Sequence, residues 1–298
     1  MRGVAEARAL GFIGLGAMGG AMCRRLMAAG HQMVVHDANP AVAPDGARFV
    51  GSTGEVARAA RIVLLSLPGP AEVEAVVGEL LGAARVGDLI IDLSTNAYAT
   101  VTGLAEKAAA KGVSFIDAPV SGGVAGAEKG TLAVMAGGEA ATVAALEPIL
   151  KAFAAKVFHA GPVGMGTMAK LVNNQIFLAA STAVQEGFVL AAKAGFNSSQ
   201  LLEILKASSA GQYVGMAPLF LARDFDRVIF RLGLAHKDLS LAVQSAESLG
   251  VPMPQTKAAL ATYKDAIDQG LGDKVFYATL QALEANAGTE VARPEAKS

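Results

Sequence analysis

The chain of 298 residues has one cysteine, no tryptophan and only 17% charged residues. A single cysteine, Cys23, excludes an internal disulfide framework, and no spacing of cysteine and histidine matches a structural zinc site, so no metal is predicted. Cys23 lies among small and apolar residues, where we expect a buried structural thiol. The net charge is −1 and basic blocks are lacking, which gives no support for nucleic-acid or anionic-membrane partners.

Long hydrophobic runs and targeting segments are also lacking. Although 53% of the residues are hydrophobic and the mean hydropathy is +0.43, no uninterrupted apolar run of about 18 residues predicts a transmembrane helix. Residues 1–8 contain two arginines but no apolar signal-peptide core, so we expect a cytoplasmic protein. The surplus of apolar residues is better explained by burial between subunits, and we expect a homodimer or homotetramer.

Glycine, in contrast, is abundant, with 34 residues, and its arrangement near the N-terminus is informative. A buried strand leads through the pattern Gly14-x-Gly16-x-x-Gly19 into a helix that starts near Ala17. The three glycines allow a tight turn, a close approach of the backbone to a pyrophosphate, and tight packing of helix on strand. The phosphate would lie on the N–H groups at the helix start, around Ala17 and Met18.

A second predicted strand, residues 32–36, ends in Asp37, which lies 23 residues after Gly14. A carboxylate at about this distance accepts hydrogen bonds from the ribose hydroxyls of NAD. The first part of the chain is therefore predicted to be a dinucleotide-binding domain.

Strand-like and helix-like segments alternate through the first half, and helical patterns alone follow in the second. Continuous runs of valine, isoleucine and leucine are typical of parallel strands that are covered on both faces. From Met165 to Ala194 the pattern is helical and apolar nearly all round. The predicted α/β organisation is a Rossmann-type doubly wound sheet in residues 9–163, a long interdomain helix in 164–194, an all-α domain in 195–287 and a flexible tail in 288–298.

Polar and turn residues end three of the predicted strands, at residues 67–70, 94–96 and 117–119. Because ligands of doubly wound sheets bind beyond the carboxyl ends of the strands, these loops are candidate site loops. In the third loop, Ser121 and the N–H groups of Gly122 and Gly123 would form a small nest suited to a carboxylate. A plain Ser-Gly-Gly turn fits this spacing equally well.

A second glycine-rich segment, residues 161–166, leads to Lys170 and Asn174, which share one helix face at the spacing i and i+4. Lys170 is the only lysine or arginine between Lys156 and Lys193. Burial there would lower the pKa of Lys170 towards neutrality, where a lysine exchanges protons efficiently. A lysine that extends its ammonium group to solvent from a helix start fits the spacing equally well.

Together, these motifs resemble the β-hydroxyacid dehydrogenase family from Gly11 to about Ala285. Four motifs in order carry the resemblance: GFIGLGAMG, DAPVSGG with GTL, GxGxxxKxxNN, and HKDL beginning at His236. The family includes 3-hydroxyisobutyrate dehydrogenase, tartronate semialdehyde reductase, and the glyoxylate and succinic semialdehyde reductases.

The resemblance implies a role for each motif. Lys170 would be the catalytic acid/base and Asn174 would orient the substrate, whose carboxylate would bind to Ser121, Gly122 and Gly123. The further residues implied to contact the cofactor are Leu67, Pro68, Glu72, Thr95 and, from the helical domain, Lys237.

The predicted function is hydride transfer between NAD and a small 3-hydroxy carboxylic acid. Family members that prefer NADP tend to carry an Asn-Arg pair where this chain has Asp37, which would repel the 2′-phosphate, so NADP is less favoured. The alternative is a semialdehyde reductase that acts on tartronate semialdehyde, succinic semialdehyde, glyoxylate or sulfolactaldehyde. Lys170 argues against an imine reductase, and the short helical domain argues against a decarboxylating sugar-acid dehydrogenase. Lys170, Asn174 and Ser121 together argue against a non-catalytic nucleotide sensor.

Overall fold

The computed structural model of the protein describes residues 9–293 and divides the chain into two compact units. Unit 1 ends at Leu171 and unit 2 begins at Val172. The prediction about a signal peptide concerns residues 1–8, which lie outside the described residues, as do residues 294–298 of the predicted tail.

Unit 1 is built on a sheet that has nine strands within the described residues. In chain order they are β1 (Ala9–Ile13), β2 (Gln32–His36), β3 (Arg48–Phe49), β4 (Ile62–Leu65), β5 (Leu89–Asp92), β6 (Ser114–Asp117), β7 (Val120–Ser121), β8 (Leu132–Gly137) and β9 (Ala154–Gly161). Their order in the sheet is β3-β2-β1-β4-β5-β6-β8-β7, and β9 pairs with β8. The pairs from β3 to β6 are parallel, whereas β8 is antiparallel to β6 and β7.

Helices cover both faces of this sheet, as the continuous apolar strands predict. They are α1 (Ala17–Ala28), α2 (Thr53–Ala59), α3 (Pro70–Ala83), α4 (Tyr98–Ala109), α5 (Gly123–Lys129) and α6 (Ala140–Leu150). Alternate residues of each central strand point to opposite faces. Phe12 and Leu64 belong to the core under α1 and α6, and Ile13 and Leu65 belong to the core under α2, α3 and α4. The predicted doubly wound fold is confirmed.

The strand order reverses between β1 and β4. Ligands of doubly wound sheets bind in the crevice that this reversal opens beyond the carboxyl ends of the strands. Gly14 follows β1 directly, and Ser66 follows β4 directly. The glycine pattern therefore lies at the switch point of the sheet.

Among residues 172–293, unit 2 is helical apart from an isolated β-bridge between Arg231 and Val275. The long helix α7 (Met165–Lys193) contains the boundary between the units, and it is followed by α8 (Ser198–Lys206), α9 (Ala217–Leu221), α10 (Leu232–Ser248), α11 (Pro254–Asp268) and α12 (Thr279–Ala287). Aromatic rings fill much of the core of unit 2, including an edge-to-face pair of Phe188 and Phe220 with centroids 5.4 Å apart.

By length and composition alone, α7 could cross a membrane, although its sequence has no uninterrupted apolar run. A buried polar network on this helix points instead to a helix of the protein core. Gln185 donates to Ser181 Oγ at 3.2 Å and accepts from Thr279 Oγ1 at 2.6 Å. Buried polar groups are normally paired in this way inside folded domains. We therefore interpret α7 as a core helix.

The part of the predicted flexible tail that the structure describes, residues 288–293, contacts the helices of unit 2. Val291 is only 1% exposed, and its N–H donates to the Glu284 carboxylate at 2.8 Å. The Ser198 hydroxyl donates to the carbonyl of Ala292, and Arg223 donates to the carbonyl of Val291. The sequence of the tail is mostly polar, so its pattern does not predict that Val291 is buried.

Candidate active site

The three glycines of the turn after β1 differ in the space around them: Gly14 and Gly19 are closely packed, whereas Gly16 is open. A Cβ atom at Gly14, where φ is +88°, would lie 2.2 Å from the Ser66 carbonyl oxygen, and one at Gly19 would lie 1.9 Å from the Gly14 carbonyl oxygen. A Cβ atom at Gly16 would have nothing within 4 Å, and both Gly16 and Ala17 are exposed. Helix α1 begins at Ala17. The turn therefore presents open backbone at a helix start, which fits the pyrophosphate of a dinucleotide.

Asp37 lies against this glycine turn. Its Oδ2 atom accepts a hydrogen bond from the N–H of Leu15 at 2.6 Å, and its Oδ1 atom accepts from the N–H of Asn39 at 2.8 Å. The carbonyl of His36 accepts from the N–H of Gly14 at 3.1 Å. Because each carboxylate oxygen has a second lone pair, Asp37 can still accept from ribose hydroxyls.

The loop after β4, which contains Leu67 and Pro68, is joined to the loop after β5. The N–H of Leu67 donates to Ser94 Oγ at 2.9 Å. Pro68 is exposed, and Glu72 is exposed in the first turn of α3. These loop residues lie at the carboxyl edge of the parallel strands, which is where the sequence analysis placed a site loop.

Thr95 is half-buried, and its neighbours Ser94 and Asn96 are both hydrogen-bonded to Asp92. The buried Asp92 carboxylate accepts from the N–H of Ser94 at 2.9 Å and from Asn96 Nδ2 at 2.9 Å. Asp92 thus holds the backbone of the residue before Thr95 and the side chain of the residue after it. This role of Asp92 is not predicted by the sequence pattern, although an acid at the end of an apolar strand is a visible signal.

The Ser-Gly-Gly segment opens its backbone to solvent. Ser121 ends β7, Gly122 has φ +133°, and Gly123 has φ +65° at the start of α5. Both glycines are exposed, and residues with side chains rarely adopt such positive φ values. Successive open N–H groups are what a carboxylate nest requires. The sequence pattern predicts a plain loop after β6 here, whereas Ser121 belongs to the short strand β7, which is antiparallel to β8.

Asp117, at the carboxyl end of β6, caps the start of α7. Its buried carboxylate accepts from the N–H of Gly164 at 2.8 Å and from the N–H of Thr167 at 2.6 Å. Burial raises the pKa of Asp117 from its ordinary 3.8 to about 6, because the two hydrogen bonds offset only part of the desolvation. Lys170 is half-buried and follows Thr167 by three residues on α7. The sequence pattern predicts that Asp117 belongs to a candidate site loop, but it does not predict this capping role.

This raised pKa predicts how stability changes with pH. The folded protein favours the neutral carboxyl of Asp117, so the stabilisation is fully present below pH about 4 and is lost as the pH rises through about 6. The loss is at most about 3 kcal/mol in the free energy of unfolding. We expect urea unfolding of the wild type and Asp117→Asn to show a stability difference that falls between pH 4 and 7. Parallel curves for the two proteins would contradict the assignment.

In unit 2, the carboxylate of Asp238 lies between two predicted site residues. Its Oδ2 atom accepts from Asn174 Nδ2 at 2.6 Å, and its Oδ1 atom lies 2.8 Å from Lys237 Nζ. Asn174 and Asp238 are both buried, and Asn173 Nδ2 donates to Asn174 Oδ1 at 3.0 Å. Asp238 therefore brings together Asn174, expected to contact substrate, and Lys237, expected to contact cofactor.

The thiol of Cys23 is unsuited to nucleophilic chemistry. It is fully buried, and burial raises its pKa to about 12. A thiol must be deprotonated to act as a nucleophile. Within residues 9–293, no group of three or more histidine, cysteine or acidic side chains could hold a metal ion.

Both halves of the chain match models of known protein families. Residues 9–161 match the NAD binding domain of 6-phosphogluconate dehydrogenase, and residues 164–283 match the NAD-binding domain of NADP-dependent 3-hydroxyisobutyrate dehydrogenase. The two matched ranges together contain all of the predicted site residues.

Similar proteins cover nearly the whole chain. A 2-(hydroxymethyl)glutarate dehydrogenase from Eubacterium barkeri is 34% identical over 95% of this chain and 97% of its own length. The mitochondrial 3-hydroxyisobutyrate dehydrogenase of Drosophila melanogaster is 36% identical over 91% of this chain and 87% of its own. The structure of Mycobacterium tuberculosis 3-hydroxyisobutyrate dehydrogenase with L-serine has a TM-score of 0.86 and 32% identity, and covers 93% of this chain and 99% of that chain. The chain belongs to the β-hydroxyacid dehydrogenase family.

Proposed function

We propose that the protein is an NAD-dependent dehydrogenase that acts on the CH–OH group of a small 3-hydroxy carboxylic acid, as in 3-hydroxyisobutyrate dehydrogenase. The observation that carries this proposal is the geometry of unit 1. There the start of the helix bearing Lys170 is fixed to the same sheet that carries an open glycine turn. In this proposal the glycine turn binds the cofactor that transfers the hydride, and Lys170 transfers the proton.

The cofactor residues hold NAD through backbone and side-chain groups. The open backbone of residues 14–19 receives the pyrophosphate, and the Asp37 carboxylate receives the ribose hydroxyls. Leu67, Pro68, Glu72, Thr95 and Lys237 bind the remainder of the cofactor. When bound, the nicotinamide ring supplies the hydride chemistry.

Lys170 moves the proton of the substrate hydroxyl. During oxidation the neutral amine of Lys170 accepts that proton, and during reduction the ammonium returns it. The positive charge of the protonated form stabilises negative charge that develops on the substrate oxygen. Ser121, Gly122 and Gly123 bind the carboxylate, and Asn174 orients the substrate.

The substrate class is supported by the ligand of the similar M. tuberculosis enzyme. L-serine, named with that structure, carries a hydroxyl group on the carbon next to the one that bears the carboxylate. The open N–H groups of Gly122 and Gly123 suit the same carboxylate. A panel of 3-hydroxyisobutyrate and L-serine with NAD, and of tartronate and succinic semialdehydes with NADH, tests the proposal. Turnover of the semialdehydes alone would favour the alternative reductase.

The enzyme is expected to prefer NAD over NADP by at least about tenfold in kcat/KM, because the Asp37 carboxylate repels a 2′-phosphate. Absorbance of the reduced cofactor at saturating hydroxy acid measures both values. Asp37→Asn, which removes the charge, is expected to narrow the preference. A wild type that favours NADP would contradict this role of Asp37.

We further propose a cytoplasmic homodimer or homotetramer with domains at residues 9–163 and 195–287 joined by the helix of residues 164–194. Val172, Ile176 and Leu190 are 49%, 58% and 73% exposed and recur along one face of α7. Apolar side chains in such a row are favourable to bury between subunits. Light scattering coupled to size-exclusion chromatography measures the oligomeric state, and a monomer at micromolar concentration would contradict this part of the proposal.

A further inference from the structure

We propose that Asp117, Gly137 and Gly166 act as positioning residues that set the place of Lys170 by locking the first turn of α7 onto strands β6 and β8. This inference rests on the proposed acid/base function of Lys170. None of the three residues is expected to touch substrate or cofactor. Their effect on the reaction is exerted through the helix backbone that carries Lys170.

The first element of this lock is the buried carboxylate of Asp117. It accepts two N–H groups from the start of α7, those of Gly164 and Thr167, with distances of 2.8 and 2.6 Å. The Asp117 carboxylate is ionised at pH values above its raised pKa of about 6, and hydrogen bonds from backbone N–H groups to an ionised carboxylate are short and about twice as strong as neutral ones. The start of α7 is therefore tied to the end of β6 at two points.

The second element is a pair of glycines that allow direct backbone contact. A Cβ atom at Gly166 would lie 2.1 Å from the carbonyl oxygen of Met135 in β8 and 2.7 Å from that of Asp117. A Cβ atom at Gly137 would lie 2.4 Å from Asp117 Oδ1 and 2.9 Å from the Gly166 nitrogen. The contacts at Gly166 are all with backbone atoms, and a Cβ atom at Gly137 would also lie 2.8 Å from the Pro162 carbonyl oxygen. The helix and strands therefore cannot adjust cheaply to an added methyl group.

Lys170 lies about one helical turn after this contact, towards the C-terminus of α7. Gly166 and Lys170 are four residues apart and share one face of α7, separated by about 6 Å along the helix axis. Any displacement of the first turn is therefore carried to the backbone of Lys170. A methyl group at residue 166 must move the turn or the strand by roughly 1 Å, because Cβ atoms do not approach oxygen within 3.0 Å. A displacement of this size at a catalytic group can cost about 10²-fold in rate.

Two test substitutions, one on α7 and one at the end of β6, are compared with a control substitution on α7. Gly166→Ala and Asp117→Asn are compared with Gly187→Ala, a control on α7 whose Cβ would have nothing within 4 Å. For each variant we measure kcat, KM for the hydroxy acid, NADH affinity by fluorescence, and the thermal unfolding midpoint. In Gly166→Ala and Asp117→Asn, kcat is expected to fall by about 10- to 100-fold while NADH affinity stays within about twofold. Gly187→Ala is expected to keep the wild-type kcat, KM and NADH affinity, and to raise the unfolding midpoint slightly because alanine favours a helix interior.

Lys170→Ala, measured in parallel, separates this inference from the proposed function. If Lys170→Ala loses activity but both folded test variants keep the wild-type kcat, the positioning role is overturned and the proposed function stands. If Lys170→Ala keeps the wild-type kcat, the proposed acid/base function itself fails. A loss of NADH affinity equal to the loss of kcat, or failure of both test variants to fold, would show a purely structural role and would also overturn the inference.

Discussion

Lys170→Ala is expected to lower kcat by about 10²- to 10⁴-fold, because general acid–base catalysis contributes this much to proton transfer. The alanine variant has no group at position 170 that can take the proton of the substrate hydroxyl. It also lacks the positive charge that stabilises the substrate oxygen. NADH affinity is expected to remain close to that of the wild type, since the open glycine turn is unchanged. Steady-state rates and NADH fluorescence titration measure the two quantities.

Two further variants make this test specific. Lys156→Ala removes an exposed lysine of β9 and is expected to keep the wild-type kcat. Lys170→Arg keeps a positive charge, but arginine cannot lose its proton in the working pH range, so it is expected to remain strongly impaired. Added primary amines are expected to restore part of the activity of Lys170→Ala. Wild-type turnover by Lys170→Ala or by Lys170→Arg would refute a proton-transfer role for this side chain.

Gly16→Ala is expected to weaken NADH binding by about 10- to 100-fold without lowering the thermal unfolding midpoint. Its added methyl group has open space in the free protein, so folding is not opposed. When the cofactor binds, that methyl group occupies the space through which the backbone approaches the pyrophosphate. Each tenfold loss of affinity corresponds to about 1.4 kcal/mol. Fluorescence titration with NADH and thermal unfolding without cofactor measure the two effects.

Gly19→Ala is the matched comparison within the same turn. Its Cβ atom would lie 1.9 Å from the carbonyl oxygen of Gly14, so this variant is expected to lose stability before any cofactor is added. The two variants therefore separate an effect on NADH affinity, expected for Gly16→Ala, from an effect on the stability of the fold, expected for Gly19→Ala. Equal NADH affinity in Gly16→Ala and the wild type would place the pyrophosphate elsewhere.

The features that the sequence predicted correctly are encoded locally. Strand β1, the glycine turn and the start of α1 follow one another within residues 9–19, and each depends on its immediate neighbours. The long apolar helix after Met165 was predicted for the same reason, since its pattern is continuous. Local patterns of this kind are sufficient to indicate the fold class.

The features that were missed depend on partners distant in the chain. Strand β9 is mostly exposed and lacks an apolar run, so its pairing with β8 gave no periodic signal. The role of Asp117 depends on N–H groups that are 47 and 50 residues away in the sequence. The contacts of Val291 depend on Glu284 and Arg223, which only the folded helical unit brings to it. A single sequence carries no direct record of such pairings.

The burial of Cys23 has a practical consequence for spectroscopy. Because the chain has no other cysteine, and this one is shielded from solvent as an un-ionised thiol, maleimide dyes are expected to leave the wild type unmodified. A cysteine introduced at the exposed Lys156 would then take up a fluorophore or spin label at a single place. The native protein thus offers a ready background for distance measurements by fluorescence energy transfer or electron paramagnetic resonance.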